Sequence, residues 1–157
     1  METSIGITPA NLAEVAQSLN QLLADEHVLY IKTRNAHWNV EGPDFHTVHV
    51  FFEEHYREIE KIIDEIAERI RTLGHYAEGT LSGFLNLTRL SEESREKNNS
   101  TGFMRMLLEA HETIIMHLRE NAERYQNEWH DVGTSDFITG LLTTHEKMAW
   151  MLRAHLK

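Results

Sequence analysis

A chain of 157 residues with 41% apolar and 25% charged residues has the size and make-up of one folded domain, which excludes wholesale disorder. It holds no run of about 18 apolar residues, so a membrane-spanning helix is excluded, and no cysteine, so disulfides, thiolate metal sites and cysteine nucleophiles are excluded together. The 25 acidic and 15 basic residues leave a formal charge of −10, which repels nucleic-acid phosphates and attracts cations.

Residues 1–31 contain neither Lys nor Arg and show no basic start or apolar core of a secretory signal. The cytoplasm is therefore the expected compartment. Thr8-Pro9 reads as an N-cap with Pro at the first helical position. Leu12, Val15, Leu19, Leu22, Leu23, Val28 and Leu29 then recur at helical spacing, and no breaker appears before Gly42-Pro43. One helix is predicted from about Pro9 to about Trp38. Asp44 is placed to cap a second, whose stripe Phe45, Val48, Phe52, Tyr56, Ile59, Ile63, Ile66, Ile70 and Leu73 ends at Gly74.

Residues 75–100 lose this regularity. Ser82–Leu87 predicts one short helix, and Glu92–Ser100 is a polar stretch. A third long helix starts near Thr101, carries Phe103, Met106, Leu107, Ala110, Ile114, His117, Leu118 and Tyr125, and ends near Trp129. Thr134 is the expected cap of a fourth, with Phe137, Leu141, Leu142, His145, Met148, Ala149 and Leu152 inward. The five methionines Met104, Met106, Met116, Met148 and Met151 read as core packing. Four long helices joined by short, long and short connections predict an all-α, ferritin-like four-helix bundle, with a long crossover between the second and third carrying a short helix.

Eleven histidines are many for this length, and histidine is the commonest neutral metal ligand. On the second helix His49 and Glu53 stand four apart, as do Asp64 and Glu68, each pair on one face beside the apolar stripe. Arg57 and Lys61 lie within reach of the same carboxylates, so the row also reads as a solvated, salt-bridged face. No Glu has His three residues later, so the usual intrasubunit di-iron pattern is missing. No His-x-x-x-His occurs either.

At 1.5 Å per residue, His49 and Asp64 lie about 22 Å apart along one helix and cannot share a metal within one chain. A two-fold axis crossing the helix near residues 58–59 would set His49 and Glu53 opposite the Glu68 and Asp64 of a second copy. His37 joins the first set, because the short turn at residues 39–43 folds the first helix back beside the second. Two imidazoles and three carboxylates suit Fe(II).

The segments Asn35-Ala36-His37-Trp38-Asn39-Val40-x-Gly42, Phe45-x-x-Val48-His49-x-x-Phe52-Glu53 and Asp64-Glu65-Ile66-Ala67-Glu68-Arg69 closely resemble the Dps family of mini-ferritins. The likeness extends to His145-Glu146-Lys147-Met148-Ala149-Trp150-Met151-Leu152. The resemblance implies a hollow homododecamer that oxidises Fe(II) to Fe(III), preferably with hydrogen peroxide, and stores the ferric mineral. It carries the family's intersubunit ligands onto His37, His49 and Glu53 of one subunit and Asp64 and Glu68 of its two-fold mate. Position 53 is commonly Asp in that family, and the extra methylene of Glu53 leaves direct or water-bridged ligation open.

Trp38 looks like the family's tryptophan beside the site, a trap for stray oxidising equivalents; an aromatic anchor at a helix end is the other reading. The resemblance places Asp131 and Asp136 at a negative three-fold pore, whereas capping of the fourth helix explains them equally. His111, His117 and His145 read as core or interface residues. Family members that compact DNA use a terminal arm rich in Lys or Arg, and the absence of one here predicts weak or no DNA binding. A nucleoid-compacting protein with secondary iron chemistry is the alternative function.

Overall fold

The computed structural model describes residues 3–92 and 97–157, and it is all helix with one isolated bridge, Glu41 to Asn99. The elements are α1 (Pro9–Asn39), α2 (Phe45–Thr72), α3 (Leu81–Leu87), α4 (Ser100–Asn127) and α5 (Val132–Ala154). Of the polar stretch at 92–100, residues 93–96 lie outside the described residues.

The caps explain where most helices start. The Thr8, Thr80 and Asn99 side chains accept from the amides of Asn11, Gly83 and Gly102, satisfying orphan donors of α1, α3 and α4. Asp44 precedes α2 as expected but makes no side-chain cap bond; Pro43 and the turn bond from Phe45 N–H to the Gly42 carbonyl set that entry instead. Asp131, not Thr134, caps α5, accepting the Thr134 amide at 2.9 Å, so the helix begins three residues earlier than predicted. Gly74 has φ +86°, and a Cβ there would meet Thr3, so this stop requires glycine.

Helix directions follow from contacts at the two ends of the bundle. Asn11 at the start of α1 donates to the Trp129 carbonyl just past α4, and the Glu41 amide just past α1 donates to Asn98 just before α4. Thus α1 and α4 run antiparallel. Asn20 in the first half of α1 donates to Tyr76 O beyond the end of α2, and Arg69 near that end meets Thr134 and Asp131 at the start of α5. The connection between α2 and α4 therefore travels the length of the bundle, with α3 packed against α1. Buried Asp25 fastens it, accepting from the Arg89 guanidinium at 2.6 and 2.8 Å and from the Arg89 amide and Thr88 hydroxyl.

One apolar cluster draws on all five helices. Ile59, Ile62, Ile66 and Ile70 of α2 are each at most 2% exposed, and burial of such a side chain contributes about 1.5–3 kcal/mol. An exposed ion pair contributes at most about 1 kcal/mol, so apolar packing dominates the bundle. The α2 stripe is turned slightly from the predicted one. Phe51, His55 and Ile62 face the core, while Tyr56 and Ile63 flank it and Phe45 is exposed. Met104 and Met148 are buried and Met106 and Met151 pack at the edge, but Met116 is exposed. It stands two residues from buried Ile114, on the opposite side of α4, where the reading as core could not hold.

Candidate metal centre

The last turn of α1 and the second turn of α2 meet across residues 40–44. Gly42, with φ +132°, makes that reversal possible, a region that side chains avoid. His37 and His49 are thereby stacked, their ring centres 3.8 Å apart. Each ring bonds the other's backbone: His37 Nδ1 lies 2.8 Å from the His49 carbonyl and His49 Nδ1 lies 2.7 Å from the His37 carbonyl. A carbonyl only accepts, so both Nδ1 atoms must carry hydrogen. In the neutral rings this leaves the lone pair on Nε2, the tautomer a metal ligand needs.

Aromatic side chains enclose the inner side of this pair. The Tyr56 ring stands edge-on to His37 at 5.2 Å and to Tyr30 at 6.0 Å. The Arg34 guanidinium lies over Tyr30, Trp38 and Tyr56 and donates to the Tyr30 hydroxyl at 2.8 Å. Trp38 itself is 60% exposed, stacked under Arg34 at the end of α1.

One turn beyond His49, half-buried Glu53 is ion-paired with exposed Arg57, so within one chain the salt-bridged reading of that row is realised. Asp64 and Glu68 are exposed farther along the same helix and do not join the histidines. Around α2, Glu53, Asp64 and Glu68 are turned from His49 by about 40°, 60° and 100°, so all four lie within one side of the helix. Among the described residues, no three His, Asp or Glu side chains of a single chain converge to hold a metal ion.

At the far end, the Asp131 carboxylate is 2% exposed and bound to the Thr134 amide, the Thr134 hydroxyl and Arg69. It acts as a cap and an anchor for α2. Asp136 is exposed in the second turn of α5.

The expected core placement holds for His111 and His145, both fully buried, while His117 is half-buried. Two partners of theirs have no counterpart among the predicted site residues: Glu26 of α1, fully buried, and His55 of α2, 3% exposed. Burial and the nearby His155 push the His55 ring down to about 4, and burial with its two histidine neighbours holds His111 well below the ordinary imidazole range. The sequence signal was register: Glu26 follows Leu22 by four and precedes Leu29 by three, and His55 follows Phe51 by four and precedes Ile59 by four.

The chain matches the ferritin-like domain family over residues 16–157. It is 44% identical to an uncharacterized low temperature-induced protein of Nostoc sp. over 98% of this chain and 86% of that one. It is 38% identical to DNA protection during starvation protein 2 of Bacillus anthracis, over 91% and 97% of the two chains. Among solved structures, the Dps protein of Vibrio cholerae, described as a member of the ferritin-like diiron-carboxylate superfamily, superposes with a TM-score of 0.92. That match has 33% identity and covers 99% of this chain and 97% of the other.

Proposed function

The chain belongs to the Dps family of ferritin-like proteins, and from that premise we propose that it is an iron-storing ferroxidase whose sites are shared between two-fold-related subunits. The observation that carries the reading is the reciprocal His37–His49 pair, which fixes two Nε2 lone pairs beside Glu53 while Asp64 and Glu68 stand out of reach on the same helix. A second copy, antiparallel across α2, supplies the missing carboxylates. Further copies then close into a hollow dodecamer with the mineral inside.

Fe(II) is the substrate. Neutral imidazoles and carboxylates receive it, and the carboxylates favour the Fe(III) product because its charge is higher. Hydrogen peroxide accepts one electron from each of two ferrous ions. Its O–O bond breaks, and with two protons the oxygens leave as two waters, so no one-electron hydroxyl radical is released. Glu53 reaches the iron by exchanging Arg57 for it, directly or through a water. Protection of DNA follows from removal of iron and peroxide. The charge of −10 argues against compaction, and a gel shift titrated with salt separates the two modes.

The decisive experiment is complementation between two inactive variants. His37→Ala and Asp64→Ala should each lose fast, peroxide-driven ferric formation. When the two are unfolded together and refolded as a mixture, half the dimers are mixed and each regains one intact site, so about a quarter of the activity returns. A site held within one chain, or no site at all, returns nothing.

A further inference from the structure

Each of the four long helices places one polar side chain into the interior of the bundle: Glu26 from α1, His55 from α2, His111 from α4 and His145 from α5, none more than 3% exposed. Glu26 Oε1 lies 2.8 Å from His145 Nε2, and His145 Nδ1 lies 3.0 Å from His111 Nδ1. The His55 ring stands edge-on to His111 at 6.1 Å. Both oxygens of Glu26, both nitrogens of His55 and the Nε2 atoms of His111 and His145 find no aligned hydrogen-bond partner. The Glu26–His145 approach is close without being a well-formed hydrogen bond.

Buried polar groups are normally paired, and a cluster of unmet ones points to something that satisfies them. Two Nδ1 atoms approach to 3.0 Å only with a proton or a cation between their lone pairs. Metal–imidazole bonds of about 2.1 Å put adjacent nitrogens about 3.0–3.4 Å apart around one ion, which is the separation seen. We propose that the bundle interior is a second metal site, contained in one chain: His111 and His145 ligate a divalent ion of the zinc or ferrous class, Glu26 orients His145 from behind, and His55 turns in as the third nitrogen. In the arrangement described the groups run in line, so the His55 turn is part of the proposal.

The chemistry of the donors decides the class. Imidazole-rich sets take borderline transition ions and leave magnesium and calcium to all-oxygen sites. A carboxylate on the far nitrogen of a ligating imidazole is the usual outer partner, raising its basicity and fixing its ring. The Phe51 ring touches both His55, at 4.2 Å, and the exposed His155, at 4.8 Å, so one aromatic ring lies between this cluster and a histidine at the surface. These donors are distinct from the intersubunit set, and the proposal does not depend on the ferroxidase reading.

The probe is Co(II), whose visible absorption reports imidazole ligation. In a His37→Ala, Asp64→Ala background, one Co(II) per chain should survive gel filtration, show that absorption and raise the melting temperature. Adding His111→Phe, or the milder His111→Gln, should abolish all three while the helical circular dichroism is kept. If the background fails to assemble, the wild-type chain serves. There, His111→Gln should lower retained Co(II) by one per chain and leave fast iron oxidation unchanged. No retained Co(II) in the folded background, or retention indifferent to both His111 variants, overturns the site and leaves a shared proton as the link between the rings.

Discussion

Two histidine pairs, one at the end of the bundle and one at its middle, show how position along a helix dictates what an imidazole can do. His37 and His49 sit where α1 stops and α2 has just begun. There the carbonyl of His37 belongs to the last turn, which has no intrahelical partner, and it is free to accept the other ring. The result is one settled tautomer and two outward lone pairs. His111 and His145 sit in the middle of their helices, facing the bundle interior. They turn their Nδ1 atoms to each other, and Glu26 faces the outer nitrogen of His145. Helix ends make ligands ready for solvent-borne ions; helix middles make ligands that depend on each other.

The comparison breaks most visibly if the end pair proves dispensable. His37→Ala should cut the rate of ferric formation at least about a hundredfold, as removal of a metal ligand with its partner does, yet leave the melting temperature close to wild type. Stopped-flow absorbance and calorimetry read the two effects.

In the middle, stability should respond instead. His145→Leu strips Glu26 of its nearest partner and should cost about 3–5 kcal/mol in urea unfolding. The double change Glu26→Leu, His145→Leu should recover part of that loss, because the Glu26 carboxyl is no longer orphaned while buried His111 still lacks its Nδ1 partner. A double variant as unstable as the single one would show that packing and the His111 orphan, not Glu26, are at stake.

Acid should sort the same two regions in metal-free protein. The unfolded His55 ring protonates near 6.5 and the folded one near 4, so the folded state binds fewer protons across that window. Stability should fall as pH is lowered from about 6.5 to about 4, by about 3 kcal/mol for this group, and His111 acts in the same direction. His55→Phe should flatten the profile. The smallest effect belongs to the end region: Arg57→Ala releases Glu53 from its surface partner and should strengthen Fe(II) binding a few-fold in anaerobic titration, with no measurable change in melting.

Much of this arrangement could be read from residue order. The stripes on all four long helices, the stop at Gly74 and the pairing of His37 with His49 depend on local spacing and one short turn. The misreadings share a cause. Asp131 takes the cap from Thr134 because its carboxylate is also held by Arg69, brought in from α2, and nothing near Asp131 in the chain announces that neighbour. Met116 was misplaced by residue type, although its two-residue offset from Ile114 put it outside. Glu26 and His55 stood in core register all along, but a charged or titratable side chain is usually assigned to the surface unless its partners are known. Those partners come from α4 and α5.

The Asp25–Arg89 clasp has a consequence for how the chain assembles. It fastens the connection between α2 and α4 to α1 partway along, so a single long loop closes as two shorter ones. Loop entropy changes only by about 0.6 kcal/mol per doubling of length, so the gain in stability is small. The gain in order is larger. With the clasp set, the connection is tied to α1 between α3 and α4, and the bond from the Glu41 amide to the Asn98 carbonyl holds the start of α4 beside the end of α1.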